Sequence, residues 1–217
     1  MQLRGFIVHH HLIISESGID LIDGGFLLGI RRIKRALAEH GKTLSDVRRL
    51  LLTHGHLDHT LNVAKLQKLT DCQVYAPIAD RDHVQGQHHY RGWSQVCGGL
   101  ERIARFVLRY KAPKVDHWFQ AGETIGSLEV ISLPGHTTGH CGFLLHEGMI
   151  LFAGDLFANH LGHPALPPAI FNDDGQMGQE SVRLAAGMKL RGVCLNHGSR
   201  TSAEEGLRAL IHLADDL

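Results

Sequence analysis

This sequence has no excess charge of either sign, no cysteine framework and no long apolar run. Its 22 basic and 22 acidic residues leave a formal net charge of +0. That balance gives no electrostatic footprint for nucleic acid or an anionic membrane. The four cysteines, Cys72, Cys97, Cys141 and Cys194, stand far apart and form no C-x-x-C pair. They read as buried thiols in a reducing compartment. No stretch is apolar enough to span a bilayer. The N-terminus, MQLRGFIVHHHLII, breaks its apolar run with three histidines and lacks a small-residue cleavage site, so it makes a poor signal peptide. A cytoplasmic location is the expectation. There is no low-complexity segment and no obvious linker. A chain of 217 residues with 43% apolar content suits a single domain over 1–217 with a substantial core.

What is abundant is histidine, with 18 residues. The densest cluster is THGHLDHT, residues 53–60, directly after the apolar run Leu50-Leu51-Leu52. It holds His54, His56, Asp58 and His59, and imidazole and carboxylate are the side chains that bind zinc and other first-row metals. In an extended segment, residues two apart point to the same side. His54 and His56 can therefore grip one ion, while the neighbours Asp58 and His59 diverge and could serve a second. Three further candidate ligands sit in short polar turns after strands: His136 in LPGHTTGH, Asp155 in LFAGD and His197 in CLNHG.

The hydrophobic pattern predicts strands at 6–14 and 19–22 around a Glu16-Ser17-Gly18 turn, a helix over 27–40 stopped by Gly41, and a strand over 47–53. A helix over 60–70 and a strand over 73–76 follow, with Pro77 suited to the first position of another helix. Later come a helix over 100–110 and strands at 115–119, 128–133, 141–146 and 149–153. A Pro-rich loop over 159–175, a helix over 179–190, a strand over 192–196 and a final helix from Ser202 complete the chain. Ser202 and Glu205 form a capping-box pair there. A weak internal repeat underlies this order. Each half delivers polar donors at the end of an apolar strand, Leu50–Thr53 in the first and Val193–Asn196 in the second. Two such halves packed sheet on sheet, with helices outside, would bring the strand ends to one edge.

Taken in order, HxHxDH, GHTTGH, AGD and NHG resemble the metallo-β-lactamase superfamily over nearly the whole chain. The resemblance implies an α/β fold, a four-layer αβ/βα sandwich of two β-sheets flanked by helices. It implies His54, His56 and His136 on one metal, Asp58, His59 and His197 on a second, and Asp155 bridging both. The implied cofactor is two Zn2+, with iron or manganese as alternatives. A hydroxide shared by two ions would then attack an activated carbonyl, with no serine or cysteine nucleophile needed. Asp58 is the candidate proton acceptor beside it. Some positions depart from the family pattern: Leu61-Asn62 replaces the common Gly-Gly, and Thr138 stands where proline is common. Asp155 and the absence of an evident signal peptide argue against a true β-lactamase. His56 argues against the flavodiiron branch. The few residues after His197 leave no room for the helical domain of glyoxalase II enzymes.

Other residues carry two readings each. Asp23 could hold a ligand histidine or serve a turn. Thr53 and Ser199 could orient ligands or make turn hydrogen bonds. Alternation within a strand sets His10 opposite His9 and His11, which suits a surface strand better than a metal tract. His83, His88, His89, His160 and His163 fall in two irregular segments, 80–114 and 159–178, that would line the substrate pocket. Solvent exposure is the expectation for each of them. Arg102, Arg105 and Arg109 read as the solvated face of a helix whose apolar side carries Ile103, Phe106, Val107 and Tyr110. Tyr90 and Trp93 either line the pocket or pack the segment. Cys141 and Cys194 fall in strands and read as core.

The function this supports is metal-dependent hydrolysis of a small thioester, lactone or other ester, with a small-molecule substrate, no nucleic acid or membrane partner, and an oligomeric state that the sequence leaves open. The alternatives are a mononuclear iron persulfide dioxygenase using His54, His136 and Asp155, and a metal-binding module without turnover. No motif names the substrate.

Overall fold

A computed structural model describes residues 2–3, 8–16 and 18–217, with the backbone alone for residues 2 and 3. The early part of the strand expected over 6–14, and Ser17 of its turn, lie outside the described residues. The chain is mixed α/β with two main sheets and flanking helices. It divides into two compact units. One comprises residues 1–88 and 101–119, the other residues 89–100 and 120–217.

The first unit carries a six-stranded sheet in the order β1 (Gln2–Leu3), β2 (His10–Ser15), β3 (Gly18–Ile22), β4 (Val47–Leu51), β5 (Gln73–Pro77) and β6 (His117–Phe119). The pairings β1–β2 and β2–β3 are antiparallel, and those from β3 onward are parallel. Crossovers between the parallel strands use α1 (Gly29–Glu39), α2 (Leu57–Thr60) with α3 (Val63–Thr70), and α4 (Arg81–Gln85). The core gathers Leu21, Ile33, Leu37, Leu50, Leu66 and Val74, all fully buried. The C-terminal ends of the parallel strands are buried on both faces, as the apolar run Leu50-Leu51-Leu52 shows.

Several boundaries differ from the sequence pattern for identifiable reasons. α1 starts at Gly29 because Leu28 is left-handed, with φ 64°. The helix expected over 60–70 starts later, at Val63, and a separate short helix, α2, precedes it with a split at Leu61-Asn62. The Asn62 amide donates to the carbonyls of Gly24, Gly25 and Phe26, tethering the split to the turn after β3. β4 ends at Leu51, since the Thr53 amide donates to the Asp23 carboxylate instead of a ladder. Pro77 closes β5 and caps a single 3-10 turn, Ile78–Asp80, ahead of α4.

His9, His10 and His11 are all buried, which corrects the surface-strand expectation. β2 is an inner strand between β1 and β3, so alternation sorts its side chains between two covered faces. The His10 ring lies against Gly25, and its Nδ1 is 3.2 Å from the Asp23 carbonyl oxygen. Burial pushes its pKa down from 6.5 to about 4.

A longer helix, α5 (Gln95–Val107), replaces the one expected over 100–110. Its apolar residues and Arg105 depart from the expectation. The Arg105 guanidinium points inward, 2.9 Å from Glu101 Oε2, and donates to the carbonyls of Gly55 and His83. Ile103, Phe106 and Val107 face outward, with Phe106 85% exposed. Arg102 and Arg109 are exposed, as expected. Tyr90 packs against Gly98, so it belongs to the packing of its own segment, whereas Trp93 is exposed.

The second unit carries a five-stranded sheet. Its strands are β7 (Thr124–Ile125), β8 (Leu128–Ser132), β9 (Cys141–Leu145), β10 (Ile150–Phe152) and β13 (Gly192–Cys194), in the order β13-β10-β9-β8-β7. The segment expected to be a loop over 159–175 contains a short hairpin, β11 (Ala158–His160) with β12 (His163–Ala165), and a 3-10 turn. α6 (Gly175–Ala186) begins earlier than expected, because Asp174 accepts the Met177 amide at its N-terminus. α7 (Ala203–Asp215) starts at Ser202 with the expected capping box. Leu133, Leu151, Phe157, Val182, Val193 and Leu210 form the core. Cys141 and Cys194 lie in strands, and burial raises the Cys194 thiol to about 11, which leaves it unreactive.

Candidate metal centre

In the first unit the parallel sheet sets the donors at the C-terminal end of β4, beside the end of β3. Asp23 follows β3 in the left-handed region, with φ 62°, and is fully buried. Its carboxylate accepts the Thr53 amide and the Thr53 hydroxyl, each at 2.9 Å, and lies 3.0 Å from His59 Nδ1. The Thr53 oxygen is 3.0 Å from His54 Nδ1. Because the hydroxyl proton goes to Asp23, that oxygen can only accept from the His54 ring. Asp23 thus favours a proton on Nδ1 of His59 directly and of His54 through Thr53, which leaves each Nε2 lone pair available to a metal. Asp23 and Thr53 both touch candidate ligand histidines.

His56 precedes α2 in an extended conformation, so the helix's first turn carries Asp58 and His59. Ligand nitrogens of His54 and His56 lie within 4.8 Å of each other, and the same holds for His54 and His59. His59 Nε2 is 3.8 Å from Asp58 Oδ2, and the Asp58 side chain is 30% exposed where the histidine is buried. Gly55 is required between the two histidines: a Cβ there would meet His83 Cβ at 2.3 Å and the Val84 amide at 2.7 Å. Its amide donates to Asp80, a buried carboxylate that sequence reasoning missed.

In the second unit the sheet topology explains how distant residues meet. β8 and β10 both pair antiparallel with β9, and β13 pairs parallel with β10. β8, β10 and β13 therefore run in the same direction. Their C-terminal turns carry His136, Asp155 and His197. Asp155 Oδ2 lies 3.4 Å from His136 Nε2 and 3.0 Å from His197 Nε2.

Two residues hold this arrangement that the sequence reading left unassigned. Asn172 presents its oxygen 3.0 Å from His136 Nδ1 while its amide donates to the Pro167 carbonyl. That second bond fixes the amide's orientation, so His136 carries its proton on Nδ1 and a lone pair on Nε2. His140 donates from Nδ1 to the Leu133 carbonyl and accepts the Asp155 amide on Nε2, at 2.6 and 2.9 Å. The second histidine of GHTTGH was the available signal for His140, whereas Asn172 sits in an irregular segment with no motif.

Other candidates fall elsewhere. The Ser199 hydroxyl accepts the Leu161 amide, a long-range bond to the β11–β12 hairpin and neither a local turn bond nor a contact with a candidate ligand. His83 is buried, stacked on His88 with ring centroids 3.4 Å apart, which corrects the exposure expected of it. His88 is half-buried, while His89, His160 and His163 are exposed.

The donor set fits a divalent first-row metal. With the proton of His136 held on Nδ1, its Nε2 lone pair faces the Asp155 carboxylate, and two Lewis bases at that distance repel unless a cation lies between them. Imidazoles fixed by oxygen acceptors on their far nitrogen are the usual support for such an ion.

Comparison with known proteins gives the same direction. The profile of the Metallo-beta-lactamase superfamily matches residues 4–193. The Bacillus subtilis (strain 168) protein YobT, described as uncharacterized, is 33% identical over 159 residues, covering 70% of this chain and 63% of YobT. The hydroxyacylglutathione hydrolase GloC of Haemophilus influenzae is 31% identical over 129 residues, covering 54% of each chain. The chain thus spans between half and two thirds of these relatives' length. Among solved structures, TTHA1623 in a di-iron-bound form has the same fold at a TM-score of 0.71 and 23% identity, over 95% of each chain.

Proposed function

This chain belongs to the metallo-beta-lactamase superfamily, and from that premise we propose a dinuclear zinc hydrolase of small thioesters, lactones or other esters. The donor sets of the two units are taken as the ligands of one centre. His54, His56 and His136 serve one ion, Asp58, His59 and His197 the other, and Asp155 both. Family membership and the complementary chemistry of the two sets support joining them. The observation that carries the reading is the Asp155 carboxylate oxygen set against Nε2 of both His136 and His197.

Two divalent ions would supply a hydroxide nucleophile at neutral pH and polarise the carbonyl under attack. The chain's own residues do the rest. Asp23, Thr53 and Asn172 hold the imidazoles in one tautomer. Asp58, the least buried of the carboxylates here, would accept a proton from the nucleophile and return it to the leaving group. Thioesters come first among substrates because GloC is a hydroxyacylglutathione hydrolase. The di-iron form of TTHA1623 favours iron as the second candidate metal. A mononuclear dioxygenase would leave His59 and His197 without a role, although Asp23 orients the first and Asp155 meets the second.

Turnover of a thioester, lactone and ester panel, before and after chelation and then with zinc restored, tests the proposal. Hydrolysis of one class, lost on chelation and regained with zinc, is expected. No turnover by fully metallated protein, or oxygen uptake on a persulfide with a single iron, would overturn it.

A further inference from the structure

We propose that α5 and the Trp93 turn before it dock on an anionic lipid surface. α5 is one continuous helix whose Val96, Leu100, Ile103, Phe106 and Val107 are 49%, 57%, 64%, 85% and 66% exposed. Their spacing, three and four residues apart, places them on one stripe of a helix. Gly99 lies on the same stripe, with no atom within 4 Å of where its Cβ would stand. Trp93, 75% exposed, extends the apolar surface at the helix's N-terminal end. Together these side chains leave on the order of several hundred Å2 of apolar surface in water, at or above the largest patch usual on a soluble monomer.

The charge around the stripe decides what covers it. From Arg91 to Lys111 the chain carries five basic residues, Arg91, Arg102, Arg105, Arg109 and Lys111, against one acid, Glu101. Glu101 is spent on Arg105, in the inward-facing pair. Arg91, Arg102, Arg109 and Lys111 are all exposed. Arg102 lies four residues before Phe106, hence on the border of the stripe. The chain's overall neutrality conceals this local excess. A second copy fits poorly, because a two-fold pairing of the stripe would set Arg102 and its basic neighbours against their own copies. An apolar helix face with Trp and Phe, bordered by arginines, matches an anionic bilayer surface: the side chains enter the acyl boundary while the guanidinium groups meet lipid phosphates.

Co-sedimentation of the metal-loaded protein with vesicles tests this. Vesicles of phosphatidylcholine mixed with phosphatidylglycerol are expected to bind it at least about tenfold better than phosphatidylcholine alone, with the difference closing at roughly 0.5 M salt. Phe106→Ser and Ile103→Ser should each lower binding about tenfold. Arg102→Glu with Arg109→Glu should abolish the preference for anionic lipid. Unchanged metal content and thermal unfolding serve as folding controls, which these exposed positions should meet. Wild-type protein remaining in the supernatant with anionic vesicles at low salt would overturn the proposal. So would a concentration-dependent dimer, detected by light scattering, that Phe106→Ser dissolves.

Discussion

Asn172 meets His136 through one hydrogen bond across 36 residues of sequence. Truncating it to Ala leaves Nδ1 of His136 without its acceptor and frees the ring to rotate or change tautomer. Metal affinity, measured by competition with a chromogenic chelator, should fall about 10–100-fold. Asn172→Asp retains an acceptor at the same place and should recover most of that loss. Equal affinity in wild type and Asn172→Ala would remove Asn172 from the account. His10 supplies a prediction about pH. Burial holds its ring neutral, with the pKa lowered from 6.5 to about 4. Between those values the unfolded chain binds a proton that the folded chain does not. The stability tied to His10 is therefore complete above 6.5, declines as pH falls through that window, and is fully lost below about 4. The span corresponds to about 3 kcal/mol. In chelator-stripped protein, urea midpoints should fall less steeply from about pH 7 to about pH 4.5 for His10→Gln than for wild type. Parallel slopes would contradict this. At this scale HxHxDH was legible because its donors are adjacent in sequence. Asn172 and Asp80 were not, because each acts through a partner that only the fold brings near.

Elements set the register in which those residues act. The final helix was readable to its first residue, since Ser202 and Glu205 carry their capping chemistry locally. Ser202 Oγ accepts the Glu205 amide at 3.2 Å, and Glu205 accepts the Ser202 amide at 2.7 Å. Ser202→Ala should cost about 1 kcal/mol in denaturant unfolding and leave metal content unchanged; no loss would mean that α7 is held by packing alone. α5 was misread for an equally physical reason. Periodicity locates the apolar and basic sides of a helix without saying which faces inward. Arg105, engaged by Glu101 and two backbone carbonyls, takes the inward side, which leaves Ile103, Phe106 and Val107 outside beside Arg102. β2 was misread because alternation assigns faces, and both of its faces are covered.

For the whole molecule, family, fold class and two-sheet composition followed from the order of the motifs and from the strands that end in polar turns. Net charge says nothing of local charge, because a sum of zero averages the basic segment around α5 with the rest of the chain. The central claim is a two-ion centre sharing Asp155, and metal analysis of protein purified without added metal tests it most directly, in wild type and in Asp155→Ala. Two zinc ions per wild-type chain, falling to one or none in the variant, are predicted. A single ion in wild type, or the same metal content in both proteins, would contradict it.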